Sequence, residues 1–150
     1  MPSDTVRTRI HEPETPMSRE EFQTWVDQQP AGRFWRIDGI VVAMAPERAA
    51  HNLRKGSARD AMRRAVKDAG LTSCQIFGDG MTVQVENSDF DPDALLRCGP
   101  PLPGDSTKVS DPMVPVEELS LDSGTRDRAT KLRAYFKLPS VQHYLIVWPE

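Results

Sequence analysis

Apolar residues recur along this chain with two different periods, and the change of period marks its elements. Phe22, Trp25 and Val26 share one helical face behind a Ser18-Arg19-Glu20-Glu21 capping box, which predicts a helix over about 19–28 that Pro30 and Gly32 end. Phe34 to Ile37 and Ile40 to Ala45 read as two strands around Asp38-Gly39, a tight-hairpin signal. From Glu47 to Ala69 a helical rhythm returns. Ala58, Ala61, Met62, Ala65, Val66 and Ala69 form the stripe expected to be buried, and Gly70 suits the cap. Short strands follow at about 74–77, 81–86 and 93–98, the first two joined by Gly78-Asp79-Gly80. The run from Gly99 to Pro112 is loop-like. A strand over about 113–120, a turn at Asp122-Ser123-Gly124, a helix from Arg126 to Lys137 stopped by Pro139, and a strand at His143–Trp148 complete the pattern. This order predicts a mixed α/β fold with one central mixed β-sheet flanked by helices.

Length and composition narrow the class. A chain of 150 residues, 38% hydrophobic and with 13 prolines, predicts one domain rich in loops, spanning about 17–150 after a disordered polar leader at 1–16. The leader has no hydrophobic segment and reads as no secretory signal. No apolar run approaches the roughly 18 residues of a membrane span. The expected setting is cytoplasmic, with Cys74 and Cys98, far apart in sequence, as reduced thiols. The net charge of −3 does not mark a nucleic-acid binder, but its distribution is uneven. Residues 51–70 carry six Lys/Arg against two Asp, a local +4 in a chain that is otherwise −7. Lys55, Arg59, Arg63 and Lys67 recur every fourth residue on one side of the long helix. They form either a solvated face or a phosphate-facing one.

The strand at 113–120 poses the chemical question. Its apolar run Met113-Val114-Pro115-Val116 leads straight into Glu117 and Glu118, and a buried carboxylate costs several kcal/mol, as a rough figure, unless a cation meets it. Strand parity puts Glu117 with Met113, Pro115 and Leu119, and Glu118 with Val114, Val116 and Ser120. The expectation is that Glu117 looks toward a covered face and Glu118 toward solvent. Asp93 opens the preceding strand after Pro92. Lys131 lies on the following helix, with Asp127 and Tyr135 one turn to either side. Singly, each has an ordinary role: a turn aspartate, a frayed strand end, an i, i+4 ion pair. Together they supply what metal-assisted phosphodiester hydrolysis needs. Asp93 and Glu117 are hard oxygen ligands for Mg²⁺ or Mn²⁺, and Lys131 is a cation to orient water and offset phosphoryl charge.

The segments "PDALLRCG", "VEELS", "RDRATKLRAYFKLPSVQHYLIV" and "RIDGIVVAMAPERAAH" together resemble the bacterial restriction endonucleases of the Uma type, within the PD-(D/E)XK nuclease-like superfamily, over residues 18–149. The resemblance implies a restriction-endonuclease-like fold, DNA as partner and a possible homodimer. It also implies Asp93 and Glu117 as metal ligands with the lysine carried on a helix at Lys131. His51 and Asp127 match polar positions without an assigned role. Three departures stand out. Trp35 replaces a glutamate of the family, the glutamate strand continues as Glu118 and Leu121-Asp122 where relatives are apolar and then Pro-Ser, and relatives continue past Glu150 into a further strand. Those departures support the rival reading, a degenerate member that binds nucleic acid or protein without cleaving it. A third reading, Asp93 and Glu117 as a glycosidase pair, leaves Lys131 without a part.

Overall fold

The computed structural model describes residues 11–44, 46–119 and 125–148, with the side chains of the last helix from Arg128 onward. Helix α1 (Arg19–Asp27) starts at the capping box: Ser18 accepts from the Glu21 N–H, and Glu21 accepts from the Ser18 N–H at 2.7 Å. Its one buried residue is Phe22. Strands β1 (Phe34–Ile37) and β2 (Ile40–Ala43) form the hairpin, with Asp38 at φ 50° and Gly39 at φ 83°. Two consecutive positive φ values are what a type I′ turn requires, and Asp-Gly tolerates them. Helix α2 (Ala49–Asp68) is followed by β3 (Cys74–Phe77), β4 (Val83–Val85), β5 (Ser88–Phe90), β6 (Ala94–Cys98) and β7 (Val114–Glu118). Helix α3 (Thr125–Tyr135) then crosses over to β8 (Leu145–Val147). The first ten residues of the expected leader and the turn at 122–124 lie outside the described residues.

The α/β class is as expected, but the strands divide into two four-stranded sheets instead of one. The first, ordered β2-β1-β5-β4, is antiparallel throughout; the second, β3-β6-β7-β8, is mixed, because β8 runs parallel to β7 through the α3 crossover. Strand β5 was not expected. Its three residues include polar Ser88 and Asp89, and both are buried. Burial is tolerable because Arg36, directly across the sheet and 2% exposed, donates from Nε to Asp89 Oδ2 at 2.6 Å and from a terminal nitrogen to the Met17 carbonyl at 2.9 Å. Arg19 adds a second bond to Asp89 at 3.1 Å.

Two apolar clusters hold the layers. One gathers Val83, Phe90, Leu95, Val109, Tyr135 and Val141; the other sets Met62 of α2 on Ala94 and Val116. Strand β7 touches both, so all five of its residues are buried and its sequence shows no alternation. The stripe expected on α2 is narrower than its alanines suggest. Met62 is buried, Ala58 and Val66 half-buried, and Ala61, Ala65 and Ala69 exposed. The covered face runs instead back through Lys55 and His51. The cysteines also depart from expectation. Cys74 and Cys98 are exact register partners across β3 and β6, and they are joined in a disulfide. Strand pairing removes the 24-residue separation that made them look unrelated.

The buried Arg36–Asp89 pair sets a test of the first sheet. Arg36→Leu leaves Asp89 buried with only a partly exposed arginine beside it, and is expected to cost about 3–5 kcal/mol in urea unfolding. Replacing both, Arg36→Leu with Asp89→Leu, should recover most of that loss, because no buried charge is then left unpaired.

Candidate functional site

The site forms where β6, β7, α2 and α3 meet. Asp93 sits at the head of β6, locked against β7 in two ways: its N–H donates to the Val116 carbonyl at 3.0 Å, and its Oδ2 accepts from the Glu118 N–H at 2.7 Å. One strand over, Glu117 and Glu118 point to opposite faces, as parity requires. Both faces are covered. The expectation that Glu118 looks toward solvent is therefore corrected: each glutamate is 5% exposed.

The two glutamates meet cations from different helices. On one face α3 brings Lys131, whose ammonium is 3.5 Å from Glu117 Oε2, and Tyr135, whose hydroxyl donates to Glu117 Oε1 at 3.0 Å. Lys131 also stands 3.3 Å from the centre of the Trp35 ring, a cation–π contact from the first sheet. On the other face α2 brings Arg54, whose Nε donates to Glu118 Oε1. His51, one helical turn from Lys55, places Nε2 3.5 Å from Asp93 Oδ2 and 3.6 Å from Glu118 Oε2. Both His51 Nε2 and Glu118 Oε2 are buried without a hydrogen-bond partner.

Lys55 is the residue whose place differs most from its sequence reading. Its ammonium lies 2.5 Å from Glu47 Oε1, 3.0 Å from Asp79 Oδ2 and 3.2 Å from Asp93 Oδ1. The expected ladder of four cations is thereby split. Lys55 is buried against Glu47, Asp79 and Asp93, Arg59 packs under Gly78, and Arg63 and Lys67 remain exposed. Those last two help line an open groove between the C-terminal half of α2 and β3, and no residue of the carboxylate cluster lines it.

The electrostatics follow from burial. Desolvation pushes the Glu117 carboxyl up; Lys131 pulls it down, Asp93 pushes it up again, and the Tyr135 hydrogen bond pulls it down. The result is a pKa of about 7. Burial, with the Glu117 charge next, also raises Tyr135 well above its ordinary value. For Lys55, burial acts downward, but Glu47, Asp79 and Asp93 outweigh it and hold the amine well above the usual lysine range. Asp79 is correspondingly lowered: against the upward push of burial stand Lys55 and then Arg33.

Of the residues singled out in the sequence, Asp93, Glu117 and Lys131 are thus neighbours, and His51 joins them from α2. The side chain of Asp127 lies outside the described residues. Sequence reasoning passed over Glu47, Arg54, Asp79 and the inward turn of Lys55. A signal for Lys55 did exist: extending Val66, Met62 and Ala58 back along the helix lands on Lys55 and His51. Among the described residues no three His, Cys, Asp or Glu side chains converge as a ready-made metal cage.

Comparison with known proteins agrees with this architecture. No curated protein matches the chain. A solved structure from Anabaena variabilis, described as "a putative nuclease belonging to DUF820", superposes with a TM-score of 0.71 at 14% identity, covering 89% of this chain and 75% of that one. The likeness fixes the fold as restriction-endonuclease-like. The model of the family Uma2, described as "Putative restriction endonuclease", matches residues 19–150, so the chain belongs to the Uma2 family.

Proposed function

We propose that the protein is a divalent-metal-dependent endonuclease that hydrolyses phosphodiester bonds in DNA, with Asp93 and Glu117 as ligands of Mg²⁺ or Mn²⁺ and Lys131 as the cationic group beside them. The observation that carries the reading is geometric: Glu117, buried, has the Lys131 ammonium 3.5 Å from its Oε2, with Asp93 near enough to repel it. Hard oxygen donors on two strands suit Mg²⁺ or Mn²⁺, which accept few protein ligands and leave room for water and phosphate. A divalent ion held there supplies Lewis-acid polarisation of the scissile phosphate.

The chain's own groups do the rest. The Glu118 N–H fixes the Asp93 carboxylate, and the Tyr135 hydroxyl fixes Glu117. Lys131 is steered by the Trp35 ring and Glu117 and has N–H groups with which to orient an attacking water. As the water oxygen bonds to phosphorus and the opposite P–O ester bond breaks, the same ammonium offsets the charge that grows on the phosphoryl oxygens. The attacking water releases a proton to solvent, and the departing alkoxide takes one from solvent.

One observation favours the rival reading, a binding module without cleavage. Both oxygens of Asp93 already have partners, Lys55 at 3.2 Å and the Glu118 N–H at 2.7 Å. A plasmid-nicking assay with Mn²⁺ separates the two. The expected result is cleavage that falls at least about a hundredfold in Lys131→Ala, Asp93→Ala and Glu117→Ala, the scale of losing a main stabilising group. DNA binding that weakens with salt but never yields cleavage would establish the rival, and cleavage indifferent to Lys131→Ala would reject the assignment.

The raised Glu117 carboxyl carries a second test, with a defined sign. Its folded pKa of about 7 exceeds the ordinary 4.5, so the metal-free folded state holds a proton that the unfolded chain releases. The associated stability is full below pH 4.5 and is lost as pH rises through 7. The shift corresponds to on the order of 3 kcal/mol. Relative to Glu117→Gln, the wild-type protein should lose several degrees of melting temperature between pH 5 and pH 8 in the presence of a chelator. Mn²⁺ at pH 8 should restore the loss in the wild type alone; parallel pH profiles for the two proteins would contradict the assignment.

A further inference from the structure

Lys55 belongs to α2, yet its ammonium is bound by carboxylates from three other places in the chain: Glu47 before the helix, Asp79 in the β3–β4 connection and Asp93 at the head of β6. The ammonium donates hydrogen bonds to Glu47 Oε1 and Asp79 Oδ2 and forms an ion pair with Asp93 Oδ1 at 3.2 Å, so carboxylates surround it on three sides. Three converging carboxylates would otherwise be a place for a hard cation. From this geometry we infer that Lys55 is a built-in cation standing where a second divalent ion would bind, so that the wild-type site takes one divalent ion and no more.

Charge supports the same count. The carboxylates linked by these contacts are Glu47, Asp79, Asp93, Glu117 and Glu118, against the cations Arg54, Lys55 and Lys131. Counted over these described residues, the carboxylates exceed the lysines and arginine by two, which one divalent ion balances and two would overshoot. The neighbouring Arg33–Asp91 pair leaves that difference unchanged. Among the described residues Glu118 Oε2, in a side chain 1% exposed, has no hydrogen-bond partner, and it faces the equally unpartnered His51 Nε2 beside Asp93 Oδ2.

Asp93 is the hinge of the argument. A carboxylate that bridges two ions needs both of its oxygens, but Oδ1 here is held by Lys55 and Oδ2 already accepts from the Glu118 N–H. A second ion would have to displace an ammonium held by two charge-assisted hydrogen bonds and an ion pair. The inference rests on the metal reading of Asp93 and Glu117, and its consequence is a single-ion centre in which lysines flank the ion: Lys55 on the Asp93 side and Lys131 on the Glu117 side.

The test is a Mn²⁺ titration of the full metal-free chain, with free Mn²⁺ followed by electron paramagnetic resonance and folding followed by circular dichroism. The wild type is expected to bind one ion and Lys55→Met two, with the second lost again in Lys55→Met combined with Glu47→Gln. The Lys55→Met protein should also show a larger Mn²⁺-induced rise in melting temperature than the wild type. Two ions bound by the wild type would overturn the inference, as would one ion bound by a folded Lys55→Met. Should Lys55→Met fail to fold without metal, folding induced by Mn²⁺ supports the inference and no rescue by Mn²⁺ overturns it. A wild type that binds no ion while Lys55→Met binds one would leave the role of Lys55 standing and remove the metal from the proposed endonuclease.

Discussion

Two adjacent glutamates in one strand must face opposite ways, and here both faces are closed. Burying an ionised carboxylate without a partner costs several kcal/mol, by a rough estimate, and β7 does it twice in successive residues. The arrangement around β7 answers that constraint. Helix α2 lies on the Glu118 face and presents Arg54; helix α3 lies on the Glu117 face and presents Lys131 and Tyr135. Neither helix can shift along the sheet without stripping a buried charge of its partner. The site's geometry is therefore also the packing geometry of the second sheet, and polar side chains fix the register of helices whose apolar contacts alone would permit sliding.

The two faces differ in how completely they are neutralised. On the α2 side each acidic group has a full cation nearby, and Lys55 ties three of them together. On the α3 side Glu117 has Lys131 at 3.5 Å and a neutral phenol, with Asp93 adding repulsion. Lys131 shares its charge with the face of Trp35. An aromatic ring at that position attracts the ammonium without adding negative charge beside Glu117. A glutamate there would have deepened the local deficit. Trp35 thus keeps the lysine placed without adding to the negative charge around Glu117.

How much of this was legible in the sequence depends on whether the signal was local. The α1 cap, the Asp38-Gly39 turn and the approximate spans of both long helices were readable because each is written in consecutive residues. The neighbouring placement of Asp93, Glu117 and Lys131 was anticipated from strand order and from family resemblance. The failures were non-local. Strand β5 looked like loop because Ser88 and Asp89 are polar, and their partners, Arg36 and Arg19 for Asp89 and the Asp38 N–H for Ser88, come from elsewhere in the chain. Glu118 was placed in water because nothing near it in sequence announces Arg54. Cys74 and Cys98 looked unrelated until β3 and β6 set them side by side. The α2 stripe was drawn through its alanines because small apolar residues fit the period, whereas the buried face includes a lysine held by acids from outside the helix.

The same internal pairing bears on how a polyanion would reach the site. In the sequence, residues 51–70 look like a strongly basic surface. In the folded protein Arg54 is committed to buried Glu118, and Lys55, itself buried, to Glu47, Asp79 and Asp93, which withdraws two of the six positive charges from solvent. What remains outside is carried mainly by Arg63, Arg64 and Lys67, diluted by Asp60 and Asp68. Long-range attraction of DNA, which falls away over about a Debye length of 8 Å at physiological salt, therefore has little to act through. On the proposed reading, contact with phosphate is governed at short range: a divalent ion bound beside the acids would remove the negative charge that repels the backbone, and affinity for nucleic acid would be coupled to affinity for the metal by electrostatics.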